Sequence, residues 1–197
     1  MVDVAEIKIW GEWVGAVRWD GSQQLGYFQY DTKFIQKGWD LSPLKMPISQ
    51  GTQIYSFPEL RIGRNETLDT FKGLPGLLAD ALPDKYGNRL ISTWLAQQGR
   101  TENSMNPVEK LCFIGTRGMG ALEFEPATIK TSTRNFSLEF DGLVELAKKM
   151  LHDREGFLTH LSKDEEKAMM EILKIGTSAG GARPKAVIAY NRKTGEI

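Results

Sequence analysis

Gly176, Gly180 and Gly181 stand just ahead of a single lysine, Lys185, in the run KIGTSAGGARPKAVIAY from Lys174 to Tyr190. Residue types in that order suit the holding of a phosphate. Glycine backbone can approach an anion closely, and successive N–H groups of such a loop can converge on one oxyanion. A lysine just beyond the loop reaches the same oxyanion as a point charge. Pro184 stiffens the exit, and two-residue periodicity puts Lys185 on one strand face with Val187 and Ala189. An ammonium on an apolar face needs an anion beside it. A nucleotide phosphate and an internal carboxylate both satisfy that need.

Other phosphate signatures narrow the reading. Gly176 and Gly181 have Walker spacing, but Ala182 stands where the lysine must be, so this is no P-loop. The G-x-G-x-x-G of protein kinases is absent as well. Thr177 and Ser178 have two uses: they can bond their own backbone, as loop residues do, or carry a phosphoryl group. A doubly negative group there would compete with a nucleotide for the loop amides and for Lys185, which makes a built-in off switch. A second glycine turn, Thr116-Arg117-Gly118-Met119-Gly120, leads into Ala121-Leu122-Glu123-Phe124-Glu125. Glu123 stands where a dinucleotide fingerprint needs its third Gly or Ala, so this turn reads as structural.

Composition sets the bounds. The chain has 197 residues, with 25 basic and 25 acidic side chains, which gives no footprint for nucleic acid or a charged membrane. Its one cysteine, Cys112, lies in the apolar run Lys110-Leu111-Cys112-Phe113-Ile114 and reads as core filler rather than nucleophile. No apolar run approaches the roughly 20 residues needed to span a bilayer. The start, Met1-Val2-Asp3-Val4-Ala5-Glu6, has no leader character, so a soluble cytoplasmic protein is expected. His152 and His160 stand eight residues apart on separate elements, and no metal site is expected from them.

The elements that must position this chemistry are legible in part. Residues 4–30 alternate as three strands. Ile7 and Ile9 share a face, and Trp13, Val17 and Trp19 share another about Gly15. Gly11-Glu12 and Asp20-Gly21-Ser22 are the turns between strands. The tryptophans Trp10, Trp13, Trp19 and Trp39 read as sheet-face packing rather than a base-stacking platform. Pro43, Pro47 and Pro58 leave residues 31–73 as short strands and loops. Leu77, Leu78, Ala81 and Leu82 then have helical spacing. Asp84 caps a helix to about Gln98, with Leu90, Ile91, Trp94 and Leu95 as its buried stripe and Gly99 as its stop. Asn106-Pro107 opens a helix over Val108 to Phe113 that ends at Gly115. Residues 128–136 read as a linker, followed by a helical pair (Leu143 to Leu151, then Ser162 to Leu173) that feeds the loop and a strand at 185–190.

Three ordered blocks resemble one family. Leu74-Pro75-Gly76-Leu77-Leu78-Ala79-Asp80-Ala81-Leu82-Pro83-Asp84, Gly115-Thr116-Arg117-Gly118-Met119-Gly120-Ala121-Leu122 and Gly176 through Lys185 are similar to the motifs of HipA-type serine/threonine kinase toxins of bacterial toxin–antitoxin systems. The fold is then α+β. Residues 1–130 would be a HipA-like, β-rich N-terminal domain with inserted helices. Residues 131–197 would be the start of a kinase-like domain, a helical pair leading into the first strand of an incomplete lobe. The resemblance implies that Thr177, Ser178, Ala179, Gly180, Gly181 and Lys185 contact the phosphates of ATP, and that Ser178 is a regulatory phosphorylation site. It implies Mg2+, a protein substrate of the aminoacyl-tRNA synthetase class, a HipB-like helix-turn-helix antitoxin as partner, and DNA contact only through that antitoxin. No H-R-D-x-x-x-x-N and no D-F-G occurs in the 197 residues, so no catalytic residue is assigned. A fragment, a truncated product or one half of a split system is expected, inactive alone. The alternative is a non-catalytic module that binds a partner.

Overall fold

The computed structural model describes residues 2–126 together with 192 and 193. Two compact units divide the chain, Met1–Leu82 with Asn103–Lys130 and Pro83–Glu102 with Thr131–Ile197. Within the first unit the architecture is α+β: a five-stranded sheet with helices against one face.

The sheet is antiparallel throughout, in the order β4-β3-β2-β1-β5. Its strands are β1 (Val4–Ile9), β2 (Glu12–Asp20), β3 (Leu25–Tyr30), β4 (Ile54–Tyr55) and β5 (Leu122–Glu125). Strands β1 and β2 meet through Trp10-Gly11, both at positive φ (51° and 81°), the geometry of a primed hairpin turn whose twist matches its strands. Strands β2 and β3 meet at Asp20, whose Oδ1 accepts from the N–H groups of Ser22 and Gln23 and from the Ser22 hydroxyl.

Alternation decides which side chains are inside. Ala5, Ile7 and Ile9 of β1 are buried while Val4 and Glu6 are exposed. On β2 the pairing shifts between Ile7 and Lys8: Ile7 faces Gly15, yet Lys8 faces Trp13. Val14 is the extra residue of a β-bulge, and one extra residue reverses the alternation. Val14 therefore joins Val17 and Trp19 inside, and Trp13 turns out to 47% exposure. The expectation that Trp13 shares a face with Val17 and Trp19 fails for this reason.

The inner face is covered by α1 (Thr32–Lys37), α2 (Gly76–Ala79) and α4 (Pro107–Ile114). Helix α1 stands where only strands and loops are expected. Asp31 accepts from the N–H groups of Lys33 and Phe34, and Gly38 closes the helix in the left-handed region at φ 72°. Phe34 is its one buried side chain, stacked on Tyr30 at 6.1 Å. In α4, Val108, Leu111 and Cys112 lie three and four residues apart and enter the same core as Ile7, Val17, Phe28 and Phe124. Each fully buried side chain of this size contributes about 1.5–3 kcal/mol. Loop segments close the β3 edge: Gly26 N–H donates to Gly73 O and Gly73 N–H to Leu60 O, both at 2.9 Å.

In the second unit, α3 spans Lys85–Gln97. Asp84 Oδ1 accepts from Gly87 N–H at 2.8 Å, and Gly99 at φ 68° follows the last turn. Leu90, Ile91 and Leu95 are buried as their spacing requires, whereas Trp94 is only half-buried.

Candidate functional site

The glycine loop with Thr177, Ser178, Ala179, Gly180, Gly181 and Lys185 lies outside the described residues, as do His152, His160 and the helical pair. What the described residues offer is the machinery of the sheet domain.

Two sequence features prove structural. Cys112 is fully buried on α4, and burial, with Glu109 nearby, pushes its thiol up to about 11. It stays a thiol at neutral pH, and a thiol is a poor nucleophile. The turn over 116–121 runs from a helix into a strand, the reverse of the strand-to-helix order a dinucleotide loop requires. Its Arg117 guanidinium donates to Phe113 O at the C-terminal end of α4 and lies 5.3 Å from the Phe113 ring centre. A cation there neutralises the carbonyl end of the helix. Desolvation lowers this guanidinium to about 10, which leaves it charged at neutral pH.

Tyrosines anchor the loop that follows α1. Tyr30 Oη donates to Met46 O at 3.2 Å and Tyr55 Oη to Pro47 O at 2.7 Å. Burial, aided by Asp40 and Tyr55, raises Tyr30 to about 12, so it serves as a neutral donor. Around it Phe28 and Tyr55 stand edge-on, at 4.7 and 6.0 Å.

The tryptophans do not form one packed cluster. Trp19 is buried, but Trp10 is 73% and Trp39 40% exposed. These two meet edge-to-face at 6.0 Å, Lys37 Nζ lies 5.7 Å from the Trp39 ring centre, and Lys37 also pairs with Glu12 at 2.8 Å. Trp10 holds φ 51°, a conformation rare for a bulky side chain. An aromatic residue both exposed and held in a costly conformation is a candidate for contact with another molecule.

The outer sheet face is the second candidate surface. A hollow of about 460 Å³ lies over β2, β3 and β4, walled by Val4, Trp13, Tyr27 and Ile54 with Arg18 among them. The Arg18 guanidinium sits 5.8 Å from the centre of the Tyr27 ring. Sequence reasoning missed this surface because the bulge at Val14 decides that Trp13 belongs to it. The shortened pairing of Ile7 and Lys8 to β2 has no signal in the sequence beyond Gly15 itself. Among the described residues no group of His, Cys, Asp and Glu could hold a metal ion, and no helix is long and apolar enough to cross a membrane.

Comparison with known proteins places this architecture. No curated protein and no solved structure matches the chain. The family described as the HipA N-terminal domain matches residues 5–125, from the second residue of β1 to the last of β5. That is more than half of the chain and takes in the whole five-stranded sheet apart from Val4, so the chain belongs to the HipA family through its N-terminal domain.

Proposed function

We propose that this chain is the N-terminal part of a HipA-like serine/threonine protein kinase, the toxin of a toxin–antitoxin pair. The observation that carries the reading is the family match over residues 5–125 on the same chain as the loop Gly176 to Lys185. Residues 1–130 then form the HipA-like domain, and 131–197 begin the kinase-like domain.

The donor set of the loop fits ATP. Amides from Thr177 to Gly181 would cover the phosphates and the Lys185 ammonium would neutralise one of them. Lys185 holds charge on the phosphate and moves no proton. ATP supplies the phosphoryl group, and Mg2+ would spread the charge that develops on it. The groups that hold Mg2+ and accept the substrate proton would come from outside these 197 residues, since no H-R-D-x-x-x-x-N or D-F-G occurs among them. A protein of the aminoacyl-tRNA synthetase class as substrate, and a HipB-like helix-turn-helix antitoxin as partner, follow from the same reading.

The test is ATP-dependent phosphorylation by the complete product of the reading frame, with Lys185→Ala beside the wild type. Loss of one charge contact to the transferring phosphate is expected to lower turnover by about a hundredfold or more, with an unchanged melting temperature. Unchanged turnover would remove Lys185 from the site. A second reading, a non-catalytic partner-binding module, is favoured by the exposed pair of Trp10 and Trp39. It gains if the complete product transfers no phosphate yet binds an antitoxin.

A further inference from the structure

The hollow on the outer sheet face is floored by small residues and walled by fixed ones. Its floor is Gly15, which carries no side chain, and Ala16, which carries a single methyl. The bulge at Val14 turns Trp13 out to form one end wall. The indole is pinned there, because its Nε1–H donates to Gly15 O at 2.9 Å. Arg18 and Tyr27, partners across β2 and β3, form the opposite end, with the guanidinium held 5.8 Å from the ring centre. Gln29 closes one side beside Ile54, its amide donating to Thr52 O at 2.6 Å, and Val4 closes the other. Walls held in this way lose little freedom when a ligand enters.

Charge narrows the ligand. Arg18 forms no ion pair among the described residues. Asp20, two residues along, is taken up by the turn to Ser22 and Gln23, and Asp31 by the cap of α1. One guanidinium thus stands ready for one anion. Glu6, directly across from Ala16, and Asp31 set negative charge near the floor. That charge opposes a doubly negative phosphate and tolerates a single carboxylate.

Geometry narrows it further. Ala16 and Arg18 share a face two residues apart, about 7 Å along the strand. A ring over Ala16 therefore reaches the roughly 4.5–7 Å range in which ring centres attract. A sheet face offers side chains only, since the backbone groups of its inner strands bond within the ladder. An extended peptide laid there would leave its own amides unpaired. The volume of about 460 Å³ falls within the roughly 300–1,000 Å³ of small-molecule sites. We propose that this hollow binds a free planar aromatic monocarboxylate, with its ring over Ala16 between Trp13 and Tyr27 and its carboxylate on Arg18.

The test is an NMR titration of the full chain with 2-naphthoate, followed through backbone amide shifts. Wild type is expected to bind with a Kd of about 1 mM or tighter, the reach of a small ligand, and its shifts should centre on Ala16 and Arg18. Arg18→Gln should weaken binding about tenfold or more, the loss of a charge-assisted pair. Ala16→Leu, which fills the floor, should abolish it. Arg64→Gln removes an exposed guanidinium outside the hollow and should leave the Kd unchanged. Two analogues separate ring from charge. 2-Naphthalenemethanol keeps the ring without the charge, and cyclohexanecarboxylate keeps the charge without the flat ring; each should bind about tenfold more weakly. Matching circular dichroism and melting curves establish that the variants keep their fold. Where Ala16→Leu does not fold, Arg18→Gln and the analogues decide. A wild type that binds no 2-naphthoate, shifts centred elsewhere, or an Arg18→Gln that binds as wild type overturns the proposal. Tighter binding of 2-naphthyl phosphate than of 2-naphthoate overturns it equally.

Discussion

An atom added to Gly15 has nowhere to go. A Cβ there would sit 2.1 Å from the Gln29 carbonyl oxygen and 3.0 Å from the Tyr30 Cα, both backbone atoms of the paired strand. Backbone cannot yield as a flexible side chain can, so the β2–β3 ladder must part. Gly15→Ala is expected to destabilise the domain by about 3 kcal/mol, read as a lower urea midpoint with the same slope. A loss below about 0.5 kcal/mol, the size of an ordinary surface change, would show that the bulge relaxes freely. Tyr30 gives a second residue-scale prediction, in pH. Its folded value of about 12 lies above the ordinary value of 10.0. The raised value means that the neutral phenol is favoured by folding, so stability is complete below pH 10 and drains as pH rises from 10 to 12. One such group changes stability by up to about 1.4 kcal/mol per pH unit in that window. Tyr30→Phe should flatten this part of the stability profile while costing the bond to Met46 O. An unaltered alkaline slope would locate the sensitivity elsewhere, Tyr86 being the next candidate, since burial raises it to about 12 as well.

Among the elements, α4 shows how a local signal can also organise distant chain. Asn106 Oδ1 accepts from Glu109 N–H at 2.8 Å, the cap its position before Pro107 announces. Its Nδ2 donates to Val2 O at 3.0 Å and to Asp3 Oδ1 at 2.8 Å, which ties the start of β1 to the helix. Asn106→Ala should lose about 2 kcal/mol, roughly a cap plus one such tie. Asn106→Asp keeps the cap but sets a carboxylate against Asp3, and its stability should fall between the two and improve at low pH. Equal stability of Ala and Asp variants would mean that only the tie matters. The cap of α4, the cap and stop of α3, and the faces of β1 were legible in the sequence because each rests on neighbours within about four residues. Helix α1 had the same signals, Asp31 and Gly38, but the prolines at 43, 47 and 58 drew the segment toward strand and loop. The bulge was illegible because it is a relation between β1 and β2: whether Val14 or Trp13 faces inward depends on the partner strand, not on local alternation.

At the scale of the whole molecule, the sheet domain identifies the family while the chemistry rests on a loop read from sequence. Gly176 to Lys185 lies outside the described residues, so its assignment stands on residue types and their order. Those types carry one discriminating consequence. If the loop amides and Lys185 grip nucleotide phosphates, then a phosphate on Ser178 takes the same donors, because both ligands are oxyanions and the loop is too short to serve two. Phosphoserine brings about −1.5 to −2 charge and three acceptor oxygens, whereas aspartate brings one charge and two oxygens. Ser178→Asp should therefore be a partial mimic. In the complete product of the reading frame it should raise the KM for ATP about tenfold, with a smaller change in turnover, the signature of impaired ground-state binding. Ser178→Ala should leave both parameters near wild type, since the donors assigned to the phosphates are backbone amides that the substitution keeps. A drop in turnover with KM unchanged would instead place Ser178 at the transferring phosphoryl group, and wild-type kinetics in both variants would remove the switch while leaving the Lys185 assignment untouched.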